Sequence, residues 1–297
     1  MSIPVIFCIH DANGNYWPNL AVALKSVLVN SKQKQEVHVL HNETLNQEAK
    51  NSLTDICLQF KAKLHFMQVV LPKALSKTNF GHFSPASIYR LLIPKLFAHE
   101  NQVIYLDSDL VFHGVDIQAL ITSAPTMALS AVLDPFIGKP AQQRKDLETL
   151  GLCHEKYFNS GVLVLRPPLV EDNLIDKFAK FCQQNPVLSH PDQDFLNVEF
   201  QDKWGSLEGK YNEQIGVWSS ALFKSVSDYE GKVIHYAGKL KPLMGYLAPG
   251  FLPFWMYASG IPQAANVFDA QTCSMLEPDP NHIDQLVARR LKRNITL

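Results

Sequence analysis

Two aspartates follow a short apolar segment of the chain, and their spacing suits them to bind a cation. The segment covers residues 103–106, and Asp107 and Asp109 come directly after it. Such a run predicts a buried strand of a parallel sheet, and ligands of these sheets bind at the carboxyl ends of the strands. Residues at i and i+2 can face one ligand, and two converging carboxylates favour a hard divalent cation that also binds phosphate. Solvated aspartates in a turn are the alternative.

A histidine ends a second apolar segment. His235 follows Val233 and Ile234, and Gly238 and Lys241 lie shortly after it. An imidazole is a common metal ligand, a glycine lets the backbone approach a ligand, and an ammonium group can neutralise phosphate oxygens. Because a lone histidine is more often structural, the ligand hypothesis depends on the strand-end position and on the neighbouring lysines.

Three further polar side chains lie at the predicted ends of helices and strands. Asp192 and Gln193 open a predicted helix, where the helix dipole stabilises an acidic residue even without a ligand. Asn159 belongs to an Asn-Ser-Gly segment before an apolar run, and this segment is also a good turn. Each pattern therefore has both a ligand-binding and a structural interpretation.

The end of the first apolar run offers a nucleotide-facing edge. Asp11 follows residues 5–9, and Asn15 and Tyr16 can supply hydrogen bonds and stacking. Neither G-x-G-x-x-G nor a Walker loop occurs there, so a dinucleotide or P-loop site is not predicted.

Alternating strand-like and helix-like segments must position these residues, and they predict a mostly parallel α/β sheet covered on both faces. The predicted strands cover residues 5–9, 37–40, 64–70, 103–106, 127–133, 161–165 and 233–236. The predicted helices run from Pro18 to Leu28, from a capping box at Thr44 to about Phe60, from an N-cap at Ser84 to Phe97, and over 172–184 and 192–200.

Composition excludes several classes of protein. Of 297 residues, 46% are hydrophobic and 19% are charged, as in globular rather than disordered chains. The net charge of −1 provides no global positive field, so nucleic acid is not an expected partner. Five scattered cysteines predict reduced thiols in the cytoplasm, and neither a secretory signal nor a membrane span is predicted.

In their joint order, these motifs resemble those of the family 8 glycosyltransferases, retaining enzymes that include bacterial lipopolysaccharide galactosyl- and glucosyltransferases and glycogenin. The similarity extends from about residue 3 to 243. Besides the first loop, it rests on residues 23–27, 87–94, 104–109, 157–165, 192–197, 211–212 and 235–242. It implies a GT-A nucleotide-sugar-binding fold over residues 1–245, with a small helical extension over 246–297.

The resemblance also implies a site. Asp107, Asp109 and His235 would hold Mn²⁺, with Mg²⁺ as the alternative, against the diphosphate of a UDP-sugar donor. The implied donor-binding residues are Asp11, Asn15, Tyr16, Arg90, Asp107, Ser108, Asn159, Gly238 and Lys241. The first loop is longer than the usual family form, so either Asn13 or Asn15 matches the family asparagine.

The implied reaction is transfer of galactose or glucose to a lipopolysaccharide, lipo-oligosaccharide or capsule acceptor, which is a glycan or a glycolipid. Gln193 and Asp192 are the implied catalytic residues. Because an amide is a poor nucleophile, front-side attack by the acceptor hydroxyl is favoured. The alternatives are a glycogenin-like or protein-directed transferase and a non-catalytic nucleotide-sugar or glycan-binding module.

The carboxyl-terminal segment has a separate pattern. Pro280 opens a predicted helix whose basic residues are Arg289, Arg290, Lys292 and Arg293. A basic amphipathic helix can lie on an anionic membrane, so peripheral attachment to the inner face of the cytoplasmic membrane is one expectation. A solvated helix that packs on its own domain is the other.

Overall fold

The computed structural model describes residues 2–72, 75, 84–185, 188–216, 220–238, 240–244, 246–267 and 274–275. The strands, in chain order, are β1 Pro4–Ile9, β2 Glu36–His41, β3 Lys63–Gln68, β4 Val103–Leu106, β5 Leu110–His113, β6 Leu129–Leu133, β7 Phe158–Leu165, β8 Trp204–Ser206, β9 Glu213–Gln214, β10 Lys232–His235, β11 Tyr246–Leu247 and β12 Ser274–Met275. The α-helices are α1 Trp17–Asn30, α2 Gln47–Gln59, α3 Ala86–Tyr89, α4 Ile93–Leu96, α5 Ile117–Ser123, α6 Ala141–Thr149, α7 Leu174–Gln184, α8 Pro191–Glu199, α9 Leu252–Ala258 and α10 Pro262–Val267.

A central sheet has the strand order β3-β2-β1-β4-β7-β6-β8. Neighbours from β3 to β4 are parallel, as are β6 and β8, whereas β7 is antiparallel to both β4 and β6. The prediction of a mostly parallel α/β sheet is therefore confirmed. Since β1, β2 and β4 run in the same direction, their carboxyl ends meet at one edge of the sheet.

A smaller sheet, ordered β5-β10-β9, brings the predicted histidine to that edge. β10 runs antiparallel to β5, and this register places His235 opposite Leu110. The backbone N–H of Tyr236 also donates to the carbonyl of Asp109 at 3.0 Å. The short link between β4 and β5 thus carries the two aspartates at the junction of the two sheets.

Both faces of the central sheet are buried along β1, β4 and β7, and β1 shows why. Val5 and Phe7 point to a hydrophobic cluster that includes α1 and α2, whereas Ile6 and Cys8 point to a cluster on the opposite face. Alternate residues of a strand face opposite sides of its sheet, so a strand buried on both sides is apolar throughout.

Two of the predicted helices are wrong in part, one at its start and one in its continuity. α2 begins at Gln47 rather than after Thr44, because the Asn46 side chain accepts a hydrogen bond from the Ala49 N–H at 2.8 Å and caps the helix. The predicted helix over 84–97 is interrupted by a 3₁₀ turn between α3 and α4. Pro94 explains the interruption, since it has no N–H to donate to the carbonyl of Arg90.

Among the elements that were not predicted are α5, α6 and the short strands β5, β8, β9, β11 and β12. β5 is a fully buried run of four residues, too short and too close to β4 to be separated from it by pattern. The predicted strand over 233–236 begins and ends one residue earlier, as β10.

The segment after residue 245 contributes to the same hydrophobic cluster as α1. Phe251 and Phe254 lie with ring centroids 5.7 and 5.8 Å from the ring of Tyr236. The predicted basic helix after Pro280 lies outside the described residues. In the part of the chain that the structure describes, no helix is both long and apolar enough to cross a membrane.

Candidate active site

The three predicted metal ligands converge in one cluster, in which Asp109 and His235 are buried and Asp107 is half-buried. His235 Nε2 lies 3.2 Å from Asp109 Oδ1 and 3.6 Å from Asp107 Oδ2. Neighbouring ligands about 2.1 Å from one octahedral ion are about 3 Å apart, so these separations suit a divalent cation. One donor atom from each residue also lies within 4.8 Å of the others. The donor set of the cluster therefore fits a bound cation.

A chain of side-chain hydrogen bonds orients the imidazole. Asp134 Oδ2 accepts from Asn159 Nδ2 at 3.1 Å, Asn159 Oδ1 accepts from Asn212 Nδ2 at 2.9 Å, and Asn212 Oδ1 lies 2.9 Å from His235 Nδ1. Asp134, when ionised, only accepts, and the Gly161 N–H only donates, at 2.9 Å to Asn159 Oδ1. Both amides are thereby fixed, so Nδ1 of His235 carries the hydrogen.

The consequence is a free lone pair on Nε2, the nitrogen that faces the two carboxylates. With Nδ1–H bonded to Asn212, Nε2 of His235 can act as a ligand toward Asp107 and Asp109. Ligating histidines depend on such an outer partner for both their tautomer and their ring orientation.

Arg90 binds the other side of Asp107. Its Nη2 donates to Asp107 Oδ1 at 3.0 Å, and its Nη1 donates to the carbonyl and hydroxyl of Ser160 at 2.6 and 2.8 Å. The hydroxyl of Tyr105 donates to the same Asp107 oxygen. Burial opposes the charge of Arg90, but nearby groups, Asp107 foremost, raise the pKa of its guanidinium above the ordinary value. Arg90 is thus a permanent buried cation.

Lys241 compensates the charge of Asp109. Its Nζ donates to Asp109 Oδ2 and, at 2.6 Å, to the carbonyl of Tyr236. Burial opposes ionisation of Asp109, but the ammonium group of Lys241 and the adjacent imidazole of His235 hold the pKa of its carboxyl well below the usual range. Tyr16 also faces this carboxylate, and burial followed by the charge of Asp109 raises the pKa of its phenol well above the ordinary value. The phenol therefore remains protonated and able to donate.

The two implied catalytic residues lie in the first turn of α8. Gln193 Oε1 accepts from the Ser160 N–H at 2.9 Å, and Nε2 donates to Asp134 Oδ2 at 3.3 Å. Asp192 lies 3.6 Å from Nε of Arg90, and its burial raises the pKa of its carboxyl while the charge of Arg90 opposes the rise. Both side chains are thus tied to residues that surround the metal cluster.

Two predicted donor-binding residues make structural hydrogen bonds. The carboxylate of Asp11 accepts from the N–H groups of Asn15, Tyr16 and Trp17 at 2.9 to 3.0 Å and so caps the start of α1. The hydroxyl of Ser108 donates to the carbonyl of Cys8 at 2.9 Å and joins the end of β4 to β1.

Two glycines make room at the site. A Cβ at Gly161 would lie 2.3 Å from His235 Cε1 and 2.8 Å from Asp107 Oδ2, so only glycine lets both ligands sit against β7. Gly238, after β10, has a φ of +82°, which other residues rarely adopt. Asn15 is exposed. Among the described hydrogen bonds it makes only one, from its backbone N–H to the carboxylate of Asp11.

Sequence reasoning assigned no role to Asp134 or Asn212. Asp134 directly follows β6, the same strand-end signal that identified Asp107, and could have been found by it. The hydrogen bond between Asn212 and His235 depends on the pairing of β9 with β10. No local sequence pattern predicts a strand of two residues.

Replacing Gly161 with alanine is expected to damage both stability and the metal cluster. The added methyl overlaps His235 and Asp107, and overpacking of this kind costs about 1–3 kcal/mol. Urea unfolding should show this loss of stability. A Mn²⁺ titration should show weaker binding of the ion. Gly209→Ala is the matched control, because its Cβ would meet nothing within 4 Å. Equal stability of the two variants would contradict this account.

Replacing Asn212 with alanine is expected to weaken Mn²⁺ binding about 10- to 100-fold, because the partner of His235 Nδ1 is lost. Electron paramagnetic resonance of free Mn²⁺ during a titration measures the affinity. Asn51→Ala, on the exposed side of α2, controls for loss of an amide and should bind as the wild type does. Unchanged affinity in a folded Asn212→Ala protein would contradict the orienting role.

Comparison with known proteins gives a consistent result. The model of "Glycosyl transferase family 8" matches residues 7–242. A lipopolysaccharide 1,2-glucosyltransferase of Escherichia coli is 30% identical over 246 residues, which are 77% of this chain and 70% of that protein. General stress protein A of Bacillus subtilis (strain 168) is 26% identical over 258 residues, covering 80% of this chain and 87% of its own.

A solved structure shows the same fold. The galactosyltransferase LgtC, crystallised with donor and acceptor sugar analogs, superposes with a TM-score of 0.69 at 20% identity. The match covers 90% of this chain and 97% of that one. The fold is thus the GT-A fold that the sequence predicted. Since the family model matches well over half of its residues, the chain belongs to glycosyltransferase family 8.

Proposed function

We propose that this chain is a Mn²⁺-dependent retaining transferase that moves galactose or glucose from a UDP-sugar to a glycan or glycolipid. The observation that carries the proposal is the convergence of Asp107, Asp109 and the oriented Nε2 of His235 at the carboxyl edge of the sheet. This is the edge at which open α/β sheets bind their ligands.

The ligand set favours the proposed cation. Mg²⁺ prefers an all-oxygen environment, whereas one imidazole beside two carboxylates also suits Mn²⁺. Asp107, Asp109 and His235 would hold the ion, and when bound it would neutralise charge on the departing diphosphate.

Lys241 supports the departure of the same leaving group. In the structure its ammonium is bonded to Asp109 and to the carbonyl of Tyr236, within the cluster itself. A diphosphate oxygen can replace Asp109 as its acceptor, which places positive charge where negative charge develops. Gly238 lies between Tyr236 and Lys241 and has a left-handed backbone conformation. Because no atom of the non-adjacent residues that the structure describes lies within 4 Å of where its Cβ would be, there is room here for the phosphates.

Arg90, Asp192, Asn159 and Gln193 form the proposed donor-sugar side of the site. Gln193 is bonded at both ends of its amide, to Ser160 and to Asp134, and an amide oxygen is weakly basic. We therefore favour front-side attack. The acceptor hydroxyl oxygen bonds to the anomeric carbon as the bond to the phosphate oxygen breaks, and the hydroxyl proton passes to that phosphate oxygen.

A cleft beside Asp134 is the proposed place of the acceptor. It has a volume of about 390 Å³, and among its lining residues are Phe136, Leu207, Asn212 and Lys224. An aromatic ring and polar side chains together suit a sugar, which has both apolar and hydroxyl faces. The names of the E. coli glucosyltransferase and of the galactosyltransferase LgtC support a hexose, and the former supports a lipopolysaccharide acceptor.

The test is UDP release from a panel of UDP-sugars with and without Mn²⁺. We expect turnover with UDP-galactose or UDP-glucose that needs Mn²⁺ and falls at least 100-fold in Asp109→Asn, because one charged ligand is lost. Asp146→Asn, at a partly exposed position of α6, is the matched control and should keep full activity. Absence of turnover with every donor and acceptor would favour a non-catalytic sugar-binding module.

We also propose peripheral membrane attachment through the carboxyl-terminal extension, residues 246–297, at the cytoplasmic face. Its support is the basic sequence after Pro280, since each Lys or Arg near an anionic surface contributes about 1 kcal/mol.

Deletion of residues 280–297 is expected to move the protein from the membrane fraction to the supernatant after cell fractionation. Replacing Arg289, Arg290, Lys292 and Arg293 with glutamine should act similarly, because the attraction is electrostatic. An unchanged distribution of both variants would refute attachment by this segment.

A further inference from the structure

Two histidines and a glutamate form a second cluster of metal-ligating side chains. β2 and β3 are parallel, and their register places His38 directly opposite His65 on one face. Glu36 precedes His38 by two residues and therefore faces the same side. β3 is the edge strand of the central sheet, so this cluster lies far along the sheet from β7.

The distances within this cluster suit a small transition-metal ion. Glu36 Oε1 lies 3.3 Å from His65 Nε2 and 3.6 Å from His38 Nε2. Tetrahedral ligands about 2.1 Å from an ion are separated by about 3.4 Å. The two imidazole rings are stacked, with centroids 4.6 Å apart, so both present their Nε2 atoms to the same carboxylate.

His38 provides an independent indication of a missing ligand. Both of its ring nitrogens are buried and have no hydrogen-bond partner among the described residues. Its distance of 3.6 Å to Glu36 is too long for a hydrogen bond. Leaving a buried polar atom without a partner costs free energy. An ion bound at Nε2 of His38 would give that nitrogen a partner.

The surroundings fix the cluster but leave access to it. The ring of His38 is held edge-on against Phe97 at 4.9 Å, and 13% of its side chain is exposed. His65 is 46% exposed, so water can reach the site and complete the coordination. Lys63 lies 4.0 Å from Glu36 Oε2, the oxygen that does not face the imidazoles.

We propose that Glu36, His38 and His65 form a site for Zn²⁺ or a similar divalent transition metal that fastens the edge strand β3 to β2. Two imidazoles and one carboxylate are a known ligand set of Zn²⁺, with water in the remaining position. The site lies at the amino-terminal ends of β2 and β3, opposite the edge that carries Asp107, and so acts on stability rather than on transfer.

Zn²⁺ titration with a competing chromogenic chelator tests the proposal. In an Asp109→Asn background, which disables the candidate active-site cluster, the protein is expected to bind one Zn²⁺ with micromolar or better affinity. Adding His65→Gln, a change at a half-exposed side chain, should weaken this binding at least tenfold. Zn²⁺ should raise the melting temperature only where His65 is present.

Two controls distinguish this site from other histidines and from the candidate active site. His154→Gln removes a partly exposed histidine elsewhere and should leave the bound Zn²⁺ in place. His65→Gln alone should retain Mn²⁺-dependent UDP release. The proposal is overturned if the Asp109→Asn protein binds no Zn²⁺, or if His65→Gln leaves the affinity and the thermal shift unchanged.

Discussion

The structure depends on balancing the charges of two neighbouring carboxylates, one buried and one half-buried. Asp107 and Asp109 both face His235 Nε2, and two neighbouring carboxylates repel each other more strongly where burial lowers the effective dielectric constant. Arg90 offsets the first charge and Lys241 the second. The two cations come from opposite halves of the chain, so this charge balance requires that the β-α-β half and the segment after β10 assemble around one site.

The orientation of the His235 imidazole matters as much as the charge of the two carboxylates. A carboxylate binds a cation from many angles, but an imidazole ligand needs the correct nitrogen free, and the amides of Asn212 and Asn159 secure this. This series of hydrogen bonds ends at Asp134, whose carboxylate also accepts a hydrogen bond from the amide of Gln193. The proposed metal ligand and the residue proposed to face the sugar are therefore set by one shared carboxylate. A change at Asp134 is expected to disturb both.

The strand ends were predictable from the sequence because a buried strand is apolar throughout and its first polar residues mark the sheet edge. This reasoning found Asp107, Asp109 and His235 without any contact being known. It did not separate roles, since Asp11 follows the same pattern and its carboxylate accepts hydrogen bonds from three backbone N–H groups at the start of α1. Pairings between distant segments, such as His38 with His65, depend on strand register, which no local spacing encodes.

Asp107, Asp109 and His235 are proposed to hold a divalent cation against a nucleotide diphosphate. The most direct measurement is anomalous scattering from crystals grown with Mn²⁺ and UDP. We predict a Mn²⁺ peak between the two carboxylates and Nε2 of His235, with Lys241 moved from Asp109 to a phosphate oxygen. A peak elsewhere, or UDP bound while Lys241 remains paired with Asp109 and no metal is present, would contradict the account.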